Sequence, residues 1–141
     1  MTDQRETDHA EWGALLLRVA LGGLFLAHAG LKLFVFTPAG TAGFFASVGL
    51  PGPLAYLVIL AEVAGGLALI LGLWTRVVSL ALLPVLLGAI ATVHAAKGFW
   101  FTAQGGGWEY PAFWAVALVV QSLLGAGALA VRLPSRSEAL A

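Results

Sequence analysis

Four long stretches of this chain are apolar on every side of a helix: about Trp12 to Phe34, Leu54 to Trp74, Val77 to Lys97 and Tyr110 to Arg132. A bilayer's hydrocarbon core is roughly 30 Å thick and takes about 20 such residues as helix. Lipid offers the backbone no hydrogen bonds, so helix is the form open to segments this apolar. A membrane strand would alternate apolar and polar positions, and these runs do not. The pattern predicts an all-α integral membrane protein, a bundle of four transmembrane helices forming one domain over residues 1–141.

The breaks fall between these windows. Thr37-Pro38-Ala39-Gly40 is predicted to end the first helix, and Pro51-Gly52-Pro53 precedes the second; proline lacks a backbone donor and disfavours helix in the residue before it. Thr75-Arg76 reads as a tight polar turn, Gln104 to Glu109 as a glycine-rich loop, and Pro134 as the stop after the last helix. Residues 41–50 are too short to span and too apolar for a plain loop. With Phe44, Phe45, Val48 and Leu50 they suggest an interfacial or re-entrant helix, the alternative being a loop with aromatic anchors. Residues 1–11 are polar and mostly acidic, a predicted tail. A secretory signal would open on a basic region and a short apolar core, so the first apolar segment is read as a retained helix. Glycines inside the apolar runs, among them Gly22, Gly65, Gly66, Gly72, Gly125 and Gly127, suit close helix packing.

Composition agrees with lipid as the solvent. The chain is 60% hydrophobic and 10% charged, whereas soluble domains carry roughly 25% charged residues. Its formal net charge is zero, which argues against nucleic acid as a partner. The absence of cysteine excludes disulfides, thiol catalysis and thiolate metal sites. Lys and Arg set orientation: Arg5, Arg76, Arg132 and Arg136 fall on the side of the termini, with Arg18 just inside, against Lys32 and Lys97 on the other. Both termini are therefore expected in the cytoplasm.

Ionisable residues inside the membrane carry the candidate chemistry, because each costs about 2.5 to 3.5 kcal/mol at a helix centre unless it finds a partner. Arg18 and Glu62 are expected to pair, directly or through water; snorkelling of Arg18 to the headgroups is the plainer alternative. His28 and Lys32, four apart, share a helix face, and Arg18 lies about 80° around the axis from them. His94 and Lys97 share a face of the third helix. With Glu109, these residues converge on an otherwise apolar bundle, the make-up of a small-molecule pocket. Against that stands simple interface anchoring, with lysines snorkelling and Trp100, Trp108 and Tyr110 forming an aromatic belt. Gln121 reads as an interhelical hydrogen-bonding residue. Two histidines and Glu109 make a bare minimum for a metal, but no HExxH motif is present and the lysines repel cations, so no metal site is expected. A faint echo links His28 to Phe34 with His94 to Phe99, as in a parallel repeat of helix pairs.

These residues also carry a family likeness. Leu17-Arg18, Leu21-Gly22, Phe25 to Gly30 and Lys32-Leu33-Phe34 resemble the first helix of the DoxX family, and Gly49-Leu50-Pro51 its first loop. Glu62 to Leu67 with Leu71 to Arg76 resembles its second helix and turn, and His94 with Lys97-Gly98-Phe99 the end of its third. The resemblance implies a four-helix inner-membrane protein associated with membrane oxidoreductase systems.

The function expected from the sequence is a redox-associated membrane subunit holding a quinone-like or other small apolar ligand in the bundle. His28, His94 and Lys32 would meet the ligand's polar head, above a buried Arg18–Glu62 pair. Lipid surrounds it, and a membrane or soluble oxidoreductase, or a second copy, is a candidate partner. A non-catalytic scaffold docking a partner through its glycine faces is the main alternative, and a small transporter the third. Whether the chain is itself an enzyme is left open.

Overall fold

The computed structural model describes residues 4–131, which are helical with no strand. The first helix, α1, covers Gln4–Gly30 and continues through a π turn, Leu31–Val35. The polar, acidic start expected as a tail is helical from Gln4. Nothing between Gln4 and Glu11 breaks a helix, and Glu6 in the first turn suits the positive end of the helix dipole.

The break near residue 36 holds, but Thr37 and Pro38 do more than stop a helix. They start α2, Pro38–Ser47, in which the Thr37 Oγ1 accepts from the Gly40 N–H at 3.1 Å and Pro38 occupies the first turn. A side-chain oxygen before proline at the first helical position is a strong helix start. Next come α3, Leu54–Leu71, and α4, Thr75–Ala89, which is extended by a π turn at Ile90–His94 and a short 3-10 turn at Ala95–Lys97. The last helix, α5, covers Glu109–Leu124. Three helical stretches, Arg5–Val35, Leu54–Leu71 and Thr75–Lys97, are long and apolar enough to cross a membrane; Glu109–Leu124 is apolar but shorter.

The fourth apolar run thus ends as helix at Leu124, well before Arg132. Gly125 (φ 89°) and Gly127 (φ 69°) turn the chain with backbone conformations that favour glycine. The segment after them crosses back over the end of the bundle. Ala128 N–H donates to the Glu11 carbonyl at 3.1 Å, and Val131 N–H to the Leu71 carbonyl at 2.9 Å. Arg132, Pro134 and Arg136 lie outside the described residues.

Helix α1 packs chiefly on α3, and α4 on α5. Gly22 and Gly66 set the first contact: a Cβ on Gly22 would lie 2.6 Å from the Gly66 carbonyl oxygen, and one on Gly66 2.9 Å from that of Gly22. Phe25, Leu69, Leu82, Leu86, Trp114 and Leu118 fill the centre. Outward-facing Leu16, Leu57, Leu60, Val77 and Phe113 stay exposed, as suits a surface solvated by acyl chains rather than water.

Two arginines close one end of the bundle. Arg18, 1% exposed, is not paired with Glu62 as the sequence suggested. Its Nε donates to the Ala126 carbonyl at 2.7 Å and its Nη2 to that of Ala128 at 2.8 Å, while Nη1 reaches the Leu69 and Ile70 carbonyls. Leu69 lies seven residues past Glu62, about 10 Å further along α3, so the guanidinium meets the helix end before it meets the carboxylate. That end also carries a Schellman motif, with Gly72 left-handed and Leu73 N–H donating to the Ala68 carbonyl at 2.9 Å. Arg76 does the same for α5, donating to the Ser122 and Leu123 carbonyls at 2.9 and 2.8 Å. A cation at a helix C-terminus both satisfies free carbonyls and opposes the dipole.

Candidate functional site

At the opposite end of α1, the π turn over Leu31–Val35 carries Lys32. A π turn adds a residue to the α ladder and re-aims the side chains beyond it; such turns are frequent at functional sites. The Lys32 Nζ donates to Glu62 Oε1 at 2.8 Å and Oε2 at 2.9 Å. Glu62 is 3% exposed on the inward face of α3. Its partner is therefore Lys32, from the next turn past His28, and not Arg18.

His28 and His94 occupy corresponding places. The His28 Nδ1 is 3.0 Å from the Leu24 carbonyl oxygen, one turn back on α1. The His94 Nδ1 is 2.8 Å from the Gly106 carbonyl oxygen, across the loop that joins α4 to α5. His94 closes the π turn Ile90–His94, so both parallel helices, α1 and α4, distort to π near a histidine. With Arg18 capping α3 and Arg76 capping α5, the faint repeat in the sequence has a structural counterpart in the α1–α3 and α4–α5 pairs.

Trp114 and Tyr110 complete the polar corner, and sequence reasoning did not assign either to the site. Trp114, 4% exposed, packs its ring against Phe25 (centroids 4.6 Å), His28 (4.9 Å) and Tyr110 (5.8 Å). Their spacing of four along α5 was the available signal, since it puts both on one face.

Between these helices lies a cavity of about 730 Å³. His28, Lys32, Glu62, His94, Tyr110 and Trp114 border it, together with Thr41 and Thr92. Its remaining walls are largely apolar: Phe44, Phe45 and Val48 of the α2 region, Leu54 and Val58 of α3, and Pro84, Val85 and Leu86 of α4. The segment around residues 41–50 is thus one wall of the cavity. The volume and the mix of apolar walls with a few polar groups are those of a small-molecule site.

The other sequence-selected residues lie elsewhere. Arg18 sits at the far end of the bundle. Lys97 is exposed, alongside Gly105. The Glu109 Oε1 accepts from the Phe101 N–H at 2.8 Å and steadies the loop before α5; with Phe99, Phe101, Trp108 and Phe113 it lines a separate shallow groove. Gln121, fully buried, donates through Nε2 to the Gly125 carbonyl at 2.7 Å, a bond within its own helix end rather than between helices. Among the described residues, no three His, Asp or Glu side chains gather as a metal-ligand set.

Comparison with known proteins places this architecture. The DoxX family model matches residues 13–95. A Bacillus subtilis (strain 168) protein named "Putative oxidoreductase CatD" is 42% identical over 94 residues, which is 67% of this chain and 69% of that protein. No solved structure matches. The family match spans more than half the chain and includes Arg18, His28, Lys32, Glu62 and His94, so this protein, with its several membrane-length apolar helices, belongs to the DoxX family of membrane proteins.

Proposed function

We propose that this protein is a redox-associated subunit of the inner membrane that seats a quinone-like or similar small apolar ligand in the cavity between α1, α3, α4 and α5. The observation that carries the reading is the cavity: about 730 Å³ of largely apolar space with Lys32, Glu62, His28 and His94 at its border. Apolar walls desolvate a ring or chain, and the polar corner fixes its head. An imidazole ring can give and take hydrogen bonds and so suits a ligand that gains or loses protons with electrons. The name of the Bacillus subtilis relative supports a redox setting.

Without cysteine the chain has no thiolates for an iron–sulfur cluster. Electrons would pass through the ligand itself and a partner oxidoreductase. All four apolar helices span in this reading, with both termini cytoplasmic. Helix α5, at 16 residues about 24 Å long, does so with local thinning of the bilayer. Gly22, Gly65 and Gly66 are taken up by contacts inside the bundle, whereas Gly23 and Gly88 face open space, where the scaffold alternative would dock a partner.

Extraction in mild detergent followed by lipid analysis tests the proposal. A quinone or similar apolar compound should co-purify, and should be lost from the His28→Ala, His94→Ala double variant. Recovery of none, with added quinone binding no better to the parent protein than to that variant, would refute it.

A further inference from the structure

We infer that the cavity selects ligands that donate hydrogen bonds, phenolic hydroxyls above all, over ligands that only accept them; this rests on the cavity-ligand reading above.

The polar groups around the cavity are mostly acceptors. A backbone carbonyl has no proton to give, so the His28 Nδ1 must be the donor to Leu24 and the His94 Nδ1 the donor to Gly106. In the neutral ring the other nitrogen, Nε2, is then an acceptor. Neither Nε2 has a partner among the described residues, and neither is among the polar atoms buried out of reach. The two threonines behave alike. The Thr41 hydroxyl donates to the Thr37 carbonyl at 2.9 Å and the Thr92 hydroxyl to that of Gly88 at 2.8 Å, so each keeps only lone pairs to offer.

Donors are scarce by comparison. Lys32 uses two N–H bonds on Glu62 and keeps one. The Trp114 indole N–H has no partner, but its nitrogen is sealed by packing. The Tyr110 hydroxyl, with no hydrogen-bond partner among the described residues, is a further donor at the cavity border. A ligand bearing only carbonyl oxygens would leave most of these acceptors unanswered in an apolar space, where an unmade hydrogen bond is costly. A hydroxyl answers them.

Charge and shape narrow the class. The Lys32 and Glu62 charges cancel, so a cationic amine would be uncompensated in the cavity. The favoured ligand is therefore neutral. Phe44, Phe45 and Tyr110 on the walls suit a flat ring. Of a quinone and its reduced dihydroxy form, this site takes the reduced form more tightly.

The test measures binding to the full-length protein in detergent by titration calorimetry. The probes are a short-chain alkyl hydroquinone kept under argon, the matching quinone, the matching dimethyl ether and an alkanol of similar size. The hydroquinone is expected to bind at least tenfold more tightly than the other three. His94→Phe and, separately, His28→Phe should each remove most of that preference. Nitrogen NMR of ¹⁵N-histidine-labelled parent protein gives a reading that needs no variant: hydroquinone, and not its dimethyl ether, should shift both Nε2 resonances. Equal binding of hydroquinone and ether would overturn donor selection while leaving the cavity reading intact, and alkanol binding equal to hydroquinone would overturn the phenolic class. A preference unchanged in both variants, or Nε2 resonances that stay put, would remove the histidines from the inference. If no probe binds, the cavity reading itself fails and this inference with it.

Discussion

Lys32 holds both carboxylate oxygens of Glu62, at 2.8 and 2.9 Å, joining the π turn of α1 to the middle of α3. Each side chain answers the other's charge where water is scarce. Removing one partner of a buried pair strands the other charge and costs about 3 kcal/mol or more, whereas replacing both with apolar groups is often close to neutral. Lys32→Met is therefore expected to lower stability by about 3 kcal/mol, and Lys32→Met with Glu62→Met to recover more than half of that. Reversible unfolding in mixed detergent would measure the cycle. Additive single losses would mean the pair is not coupled.

Arg18 is expected to tolerate no conservative exchange. Its guanidinium serves carbonyls of Leu69, Ile70, Ala126 and Ala128 from one planar fork, and a lysine ammonium cannot reproduce that spread. Arg18→Lys should leave carbonyls unmet and cost about 2 kcal/mol. Its signature is local: the amides of Ala128 and Val131, which bond to Glu11 and Leu71, should exchange at least tenfold faster. Protection unchanged from the parent would show that Arg18 does not hold this segment.

Adjacent glycines should respond in opposite ways. Gly22→Ala drives a methyl to 2.6 Å from the Gly66 carbonyl oxygen, so α1 and α3 must part, at a cost of about 1–3 kcal/mol. Gly23→Ala meets nothing within 4 Å and should be neutral or slightly stabilising. Thermal inactivation of the two variants side by side decides the matter.

Much of this fold is legible in the sequence because lipid leaves a chain so few options. Long uninterrupted apolar runs read directly as helices, and Pro51-Gly52-Pro53 marks a real boundary; the turn expected at Thr75-Arg76 falls instead at residues 72–74, because the left-handed Gly72 ends α3 and Thr75 and Arg76 already open α4. The departures share a cause. Gly125 and Gly127 look like packing glycines within a helix, but positive φ turns the chain there, a property set by the segment's return to Glu11 and Leu71. Arg18 points by charge alone to Glu62. The sequence does not show that the carbonyl-rich ends of α3 and of the 125–131 segment lie closer to it. His28, Lys32, Glu62 and His94 do border one cavity, and their shared helix faces announce it. Lys97 and Glu109 resemble them in chemistry but flank the loop between the 3-10 turn and α5, away from the cavity. Trp114 gives no signal of its own, because one tryptophan in an apolar helix looks like any other until its neighbours are known.

The proposed orientation gives the last expectation. The chain has no cysteine, so any thiol introduced into it is unique. Gln104 lies in the loop between His94 and α5, and Thr7 lies near the start of α1. If all four apolar helices span and both termini are cytoplasmic, Thr7→Cys and Gln104→Cys sit on opposite sides of the membrane. A membrane-impermeant maleimide applied to intact cells with a permeabilised outer membrane should label Gln104→Cys and spare Thr7→Cys until the inner membrane is lysed. Neither position contributes a hydrogen bond to the Lys32–Glu62 pair or to either histidine, so both variants should bind cavity ligands as the parent does. Labelling of both sites in intact cells would mean that one of the three apolar stretches between them, α1, α3 or α4, does not cross. Labelling of Thr7→Cys alone would invert the topology and place the Arg18 and Arg76 end outside.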